Sequence, residues 1–198
     1  PSHTLIYHII HFANLGGIIS RGGLVANSTL KRLNSSYTDI SHQHIQNRRE
    51  GIDIPCGPGG KLQDYIPFYF APRSSMLYSH YKGNVPGNQQ GQKPIIYLVS
   101  SVEIVTNAAQ AFVFTDGHAI MVYTSYYDDL RNLDQVDWEI MKATMWNDTE
   151  DDNDRRRRRQ AEFLVHSFFP WELVKGIGVI DSAMAMMVQN CMKGCLYR

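Results

Sequence analysis

The apolar positions near the start of the chain form one short β-branched run, Leu5-Ile6-Tyr7-His8-Ile9-Ile10, which reads as a buried strand. Asn14 is placed to cap a short helix in which Leu15, Ile18 and Ile19 share a face, and Gly22-Gly23 stop it. Residues 27–40 are polar and turn-rich. A second helix is expected from about Ser41 to Glu50, where Ile45, Arg48 and Arg49 stand one turn apart. The stretch Pro55-Cys56-Gly57-Pro58-Gly59-Gly60 breaks helix and strand alike and is expected as a loop. Tyr65 to Ala71 reads as an aromatic strand, and Pro72 leads into a helix from Arg73 to Tyr81.

After a Gly/Asn/Gln linker at 82–93, strands are expected at 94–100 and 111–115. One or two helices follow between Ser125 and Trp146, with Leu130, Leu133, Val136, Ile140 and Met141 as their apolar positions. Residues 147–159 join an acidic cluster (Glu150, Asp151, Asp152, Asp154) to five consecutive arginines, Arg155 to Arg159. Such a run reads either as a solvated loop that neutralises itself or as a phosphate contact. The period-2 segment 160–166 places Glu162, Leu164 and His166 on one face. A last strand is expected at 173–180, then a helix at 182–193 whose methionines read as core filler. Interspersed strands and helices without a repeat point to one domain over 1–198, of α/β or α+β class with about six strands.

The 198 residues balance 19 Lys+Arg against 19 Asp+Glu. That balance hides an asymmetry: residues 1–100 carry 9 basic and 4 acidic side chains, whereas 101–198 carry 10 and 15. A basic first half is compatible with a polyanionic partner. The longest apolar runs, Pro94 to Val99 and Ala183 to Val188, fall far short of the roughly 20 residues of a membrane span, so no membrane anchor is expected. The chain opens without a basic or apolar leader, and Cys56, Cys191 and Cys195 form no even framework, so a reduced cytoplasmic setting is expected.

Candidate chemistry narrows quickly. Gly57 to Lys61 is no P-loop, because Leu62 stands where a magnesium-binding Ser or Thr belongs. Cys191 with Cys195, and His42 with His44, lack the second ligand pair of a zinc site, so no metal is expected. Glu162 lies between Ala161 and Phe163, where a buried carboxylate is costly without a partner. It reads either as a strand-end glutamate facing water or as a functional acid. His8 can equally be a satisfied core histidine, and Arg49 a solvated helix residue.

Taken in order, several blocks carry a resemblance. They are Ile6-Tyr7-His8-Ile9-Ile10-His11 with Asn14-Leu15; Asp39-Ile40-Ser41-His42 with Ile45-Gln46 and Arg48-Arg49; Pro58 to Tyr78, including Asp64-Tyr65-Ile66-Pro67-Phe68-Tyr69-Phe70 and Pro72-Arg73-Ser74; Phe112-Val113-Phe114-Thr115-Asp116 with His118; and Gln160-Ala161-Glu162-Phe163-Leu164-Val165. Together they resemble the DarT toxins, DNA ADP-ribosyltransferases of bacterial toxin–antitoxin systems.

The resemblance implies an ADP-ribosyltransferase fold related to the poly-ADP-ribose polymerases. NAD would be the co-substrate, split between nicotinamide and ADP-ribose, with transfer to a base of single-stranded DNA, usually thymine at N3. His8, Ile9 and Ile10 would hold the nicotinamide end, and Gly17, Val25 and Arg49 would line the NAD site. Many members have Thr where this chain has Ile10, so only a backbone contact carries over there. Residues about 36–54 would form an NAD-binding element and about 118–162 a substrate-reading loop ending at catalytic Glu162. Family models make Arg49 the base. A guanidinium is protonated at ordinary pH, so a role as a cation stabilising the deprotonated acceptor and the pyrophosphate is chemically easier. Tyr69, Arg73, Met76 and His118 are the candidate base contacts in DNA, and Arg48, Lys31 and Arg155 to Arg159 the candidate phosphate contacts. A bacterial cytoplasmic monomer, opposed by a macrodomain antitoxin, completes the implication. Guanine in DNA, RNA, RNA ends, protein, or catalytically silent strand binding are the alternatives.

Overall fold

The structure, a computed structural model, describes residues 3–85 and 90–196. Part of the 82–93 linker, residues 86–89, lies outside the described residues. The elements run β1 (Leu5–His11), α1 (Leu15–Ser20), β2 (Gly23–Val25), α2 (Asn27–Arg32), α3 (Gln43–Gly51), β3 (Tyr65–Tyr69), α4 (Ser75–Tyr81), β4 (Ile95–Ser101), α5 (Val102–Asn107), β5 (Phe112–Thr115), β6 (Tyr126–Tyr127), α6 (Trp138–Lys142), α7 (Arg155–Arg158), β7 (Glu162–His166), β8 (Phe168–Pro170), β9 (Gly176–Gly178) and α8 (Ser182–Leu196). Short 3-10 turns at 12–14, 62–64, 130–135 and 171–173 join them.

Seven strands form one sheet in the order β6-β5-β7-β3-β1-β4-β9, and β2 pairs with β8 apart from it. Every pairing among the described residues is antiparallel. The pairing of β1 with β4 runs its full length, from Leu5 opposite Ser101 to His11 opposite Ile95. Strand β7 lies between β3 and β5 and buries both faces, which is why its middle residues, Phe163 to Val165, are all apolar. Phe163 and Val165 enter the main core with Phe68, Phe70 and Phe114, where aromatic rings meet edge to face and stacked. Leu164 enters a smaller core on the other face with Leu62, Tyr65, Val113, Ala119 and Ile120. By the same alternation Glu162 lies on the Leu164 face, toward the segment that follows β5.

Several elements differ from the sequence expectation. Asn14 makes no side-chain cap on α1. The 3-10 turn before the helix supplies its entry, and the Asn14 amide is used elsewhere: Nδ2 donates to Thr38 O over 2.9 Å and Oδ1 accepts from Thr38 N over 2.8 Å. The polar 27–40 stretch contains the helix α2, and the region 125–146 contains β6 and a 3-10 turn before its one α-helix, α6. The expected strand 173–180 is limited to β9, and nine strands in two sheets replace about six. The missed strands β2, β6 and β8 are two or three residues long, too short to show a period.

The largest correction concerns the arginines. Residues 155–158 form a helical turn, because Asp154 and Arg157 are spaced to meet across one turn. Arg157 bonds Asp154 and Asp116, Arg158 bonds Asp137 and Asp152, and Arg159 is buried. Arg159 Nη1 donates to Ile140 O and Met141 O, and its Nη2 donates to Arg73 O. The run is thus not a solvated loop: Arg157 and Arg158 meet carboxylates, Arg159 packs inward on carbonyls, and Arg156 is exposed.

Candidate functional site

Glu162 opens β7 opposite Tyr69 of β3 and is 2 % exposed. Its backbone N–H donates to Thr115 Oγ1 over 2.9 Å, and the Thr115 hydroxyl donates to Gly117 O over 2.7 Å, so the strand start is tied to the turn after β5. A buried carboxylate needs partners for both oxygens. Oε2 accepts from Arg49 Nη1 over 2.9 Å, and Oε1 accepts from the Ala119 backbone N–H over 3.2 Å. The expectation of a water-facing glutamate and a solvated Arg49 is overturned, since Arg49 is also buried.

Arg49 projects from the last turn of α3. It links Glu162 to a cleft of about 250 Å³ bounded by β1, α1, β2, α2 and the segment 36–41. His8, Ile9, Ile10, Gly17, Val25 and Arg49, six residues chosen from the sequence for NAD, all line this cleft, and Met76 joins them. Gly17 leaves open space where a side chain would begin. Arg49 Nη2 is buried and has no protein partner among the described residues, leaving one N–H pair for a ligand oxygen.

His8 stands beside Phe68, with its Nδ1 2.7 Å from Pro67 O. A carbonyl can only accept, so Nδ1 carries the hydrogen and Nε2 is left as an acceptor. Burial lowers the His8 pKa to about 4, opposed by the Pro67 hydrogen bond and reinforced by the charge of Arg49. The imidazole is therefore neutral at physiological pH.

A polar chain lines the cleft beyond Arg49. Tyr37 OH donates to Asn27 Oδ1 over 3.1 Å, Asn27 Nδ2 to Gln46 Oε1 over 2.9 Å, and Gln46 Nε2 to Ser41 Oγ over 2.9 Å. Ser41 is held by Asp39, whose carboxylate accepts from both the Ser41 N–H and hydroxyl. The Asp39-Ile40-Ser41 triplet is legible in sequence as an Asx turn. The remaining members of the chain, and the Asn14 clasp on Thr38, carry no sequence signal because their partners are distant.

The candidate DNA contacts separate. Tyr69 is half-buried beside Met76, its hydroxyl 3.9 Å from the Met76 sulfur. Burial, then the nearby Glu162 charge, pushes the Tyr69 hydroxyl pKa up. His118 sits in the turn that delivers the Ala119 N–H, and its pKa is lowered by burial, with Glu162 opposing and Arg49 and Arg48 adding to the lowering. Arg48 is exposed and braces that turn, its Nη2 donating to Ile120 O over 2.8 Å. Arg73 is exposed at the turn before α4. Lys31 lies outside this group, paired with Glu50 at the surface. Chemically, the assembly offers a buried carboxylate beside a cation, a neutral acceptor imidazole, and a cleft with apolar walls and one polar side. No cluster of three or more His, Cys, Asp or Glu side chains able to hold a metal occurs among the described residues, and none of their helices is long and apolar enough to cross a membrane.

Comparison with known proteins gives concordant results. The family model described as "ssDNA thymidine ADP-ribosyltransferase, DarT" matches residues 7–195. A protein of Thermus aquaticus named DNA ADP-ribosyl transferase is 44 % identical over 190 residues, covering 96 % of this chain and 81 % of the relative. Among solved structures, Thermus sp. 2.9 DarT in complex with ADP-ribosylated ssDNA superposes with a TM-score of 0.92 at 40 % identity, covering 100 % of this chain and 91 % of that one. The same Thermus protein in complex with NAD+ gives a TM-score of 0.85 at 38 % identity, covering 98 % and 91 %.

Proposed function

The chain belongs to the DarT family and is an NAD-dependent DNA ADP-ribosyltransferase, and on that premise we propose that it transfers ADP-ribose to thymine N3 in single-stranded DNA, releasing nicotinamide. The observation that carries the reading is the buried Glu162–Arg49 pair, because Arg49 belongs at once to the pair and to the wall of the cleft. In this reading the cleft takes NAD. The unpartnered Arg49 Nη2 fits a pyrophosphate or ribose oxygen, and the His8 Nε2 acceptor fits a donor at the nicotinamide end.

Cleavage of the nicotinamide–ribose bond builds positive charge on the sugar. Glu162, desolvated and aimed by the Ala119 N–H and Arg49, stabilises that charge with little reorganisation. As the thymine ring N3 bonds to the ribose carbon, the bond to nicotinamide breaks with its electron pair returning to the pyridine ring, and the N3 proton passes to solvent. Arg49 acts as a cation beside the developing anion, since a guanidinium is a poor base. Tyr69, Met76, His118 and Arg73 receive the base, with Tyr69 and Met76 side by side, while Arg48 meets backbone phosphate. The 36–54 segment serves as the NAD-binding element and 118–162 as the substrate-reading loop. The whole acts as the toxin of a toxin–antitoxin system, restrained by a partner with a macrodomain that removes the modification, in the bacterial cytoplasm and as a monomer.

The test is mass spectrometry of single-stranded oligonucleotides incubated with NAD and the protein, each base being replaced in turn. Thymidine-containing oligonucleotides are expected to gain one ADP-ribose and thymine-free ones none. Transfer to guanine, RNA or protein in preference to thymine overturns the assignment.

A further inference from the structure

The segment 116–125 is closed on itself and clamped from below. Asp116 Oδ1 accepts from Ser125 N over 3.0 Å, His118 O accepts from Met121 N over 3.0 Å, and Met121 O accepts from Thr124 N over 3.0 Å. Beneath it lies Arg157, whose side chain is 11 % exposed. Its guanidinium donates to Asp116 over 2.9 Å, to Thr124 Oγ1 over 3.3 Å and to both Asp154 oxygens, while its carbonyl accepts from His118 N over 3.0 Å. Gly117 has no room for a side chain, because a Cβ there would stand 2.2 Å from the Arg157 guanidinium.

At the tip of this clamped segment Tyr123 is 62 % exposed, and the Arg157 guanidinium lies 5.2 Å from its ring centroid. A ring packed on a pinned cation is held in one orientation at small entropic cost and keeps its free face toward solvent. The same segment supplies His118 and the Ala119 N–H that bonds Glu162, so the ring stands in a fixed relation to the proposed reacting carboxylate. A free aromatic face is a surface on which any nucleobase stacks.

We infer that Tyr123 stacks on a nucleobase neighbouring the acceptor in the single-stranded substrate, and that Arg157 is a positioning residue that sets the ring. The inference rests on the proposed reading that single-stranded DNA is the acceptor. Arg157 reaches the substrate only through Tyr123 and the loop, which distinguishes it from a phosphate contact. Val122, 97 % exposed beside the ring, gives the tip an apolar edge.

The experiment is a scan of oligonucleotides carrying one abasic nucleotide at each position flanking the acceptor, measured with wild type, Tyr123→Ala and Tyr123→Phe. With intact oligonucleotide, Tyr123→Ala is expected to raise KM for DNA about tenfold, the size of one lost stack, with KM for NAD unmoved and Tyr123→Phe close to wild type. In the scan, wild type is expected to be weakened at one flanking position to which Tyr123→Ala is insensitive. Arg157→Met is expected to show the same insensitivity, partly rescued by Arg157→Lys. An identical abasic profile in wild type and Tyr123→Ala overturns the inference, as does an equal rise in KM for NAD. Wild type that transfers to no oligonucleotide overturns the functional reading itself, a result distinct from transfer without any coupled position.

Discussion

The guanidinium of Arg49 donates to the carboxylate of Glu162 over 2.9 Å although the two residues are 113 positions apart, and their side chains are only 8 % and 3 % exposed. An ion pair that has left water is stable only as a pair, because either member alone is a buried uncompensated charge. Under the proposed function, stability and chemistry are thus coupled at one contact.

Glu162→Gln keeps the shape and removes the charge. Transfer to DNA is expected to fall at least about a hundredfold, in line with the loss of one preorganised electrostatic group. Arg49→Leu strands the Glu162 charge and is expected to cost about 3–5 kcal/mol of stability by denaturant titration. Combining Arg49→Leu with Glu162→Leu should recover much of that stability without activity. Full transfer activity in Arg49→Leu would remove Arg49 from the mechanism, and partial activity in Arg49→Lys would support the cation role.

His8 makes stability depend on acidity in a defined window. Its folded pKa is about 4 against an ordinary 6.5, so between these values the unfolded chain binds the proton and the folded chain does not. The contribution of the neutral imidazole is complete above about pH 6.5 and is lost as pH falls toward about 4. His8→Gln is expected to flatten the thermal-stability profile between those limits relative to wild type. An unchanged slope would show that His8 is charged in the fold.

The Asn14–Thr38 clasp holds the segment that closes one side of the cleft. Asn14→Ala removes two hydrogen bonds, each worth about 1 kcal/mol, and lowers the fraction of molecules with the segment in place. KM for NAD is expected to rise several-fold with kcat little changed. A fall in kcat at constant KM would place Asn14 in the chemistry instead.

Salt dependence separates exposed from internal arginines. Arg48→Gln is expected to reduce the slope of log Kd for single-stranded DNA against log salt by about 0.7, the value of one released counterion on a single strand. Arg158, paired with Asp137 and Asp152, should leave the slope unchanged when replaced by Gln while lowering stability. Equal loss of slope in both variants would return the arginine run to the DNA interface.

Much of the sheet was legible from local pattern. The apolar run at 5–11 and the aromatic run at 65–69 marked these strands in residue order, although Leu5 is exposed and Tyr65 and Ile66 are buried side by side. The helix α4 was legible too, although its start is set by the Ser74 hydroxyl accepting from Leu77 N, two residues after Pro72. The strands β2, β6 and β8 were not legible, because a pairing of two or three residues is stabilised by partners elsewhere and leaves no period of its own. The arginine run shows the same limit in charge: composition names five cations, and only packing shows that Arg157, Arg158 and Arg159 spend theirs on carboxylates and carbonyls of the protein.

By itself, the order of residues determined the central strands, the class of fold and the family, and it named a short set of candidate side chains. Tertiary structure alone decided that Glu162 is buried, that it meets Arg49 and the Ala119 N–H, that His8 presents Nε2, and that Tyr123 stands on Arg157. The physical reason lies in range. Periodicity and capping act over a few residues and are written in adjacent letters, whereas the cost of burying a charge is met by groups that only the closed sheet brings within hydrogen-bond distance.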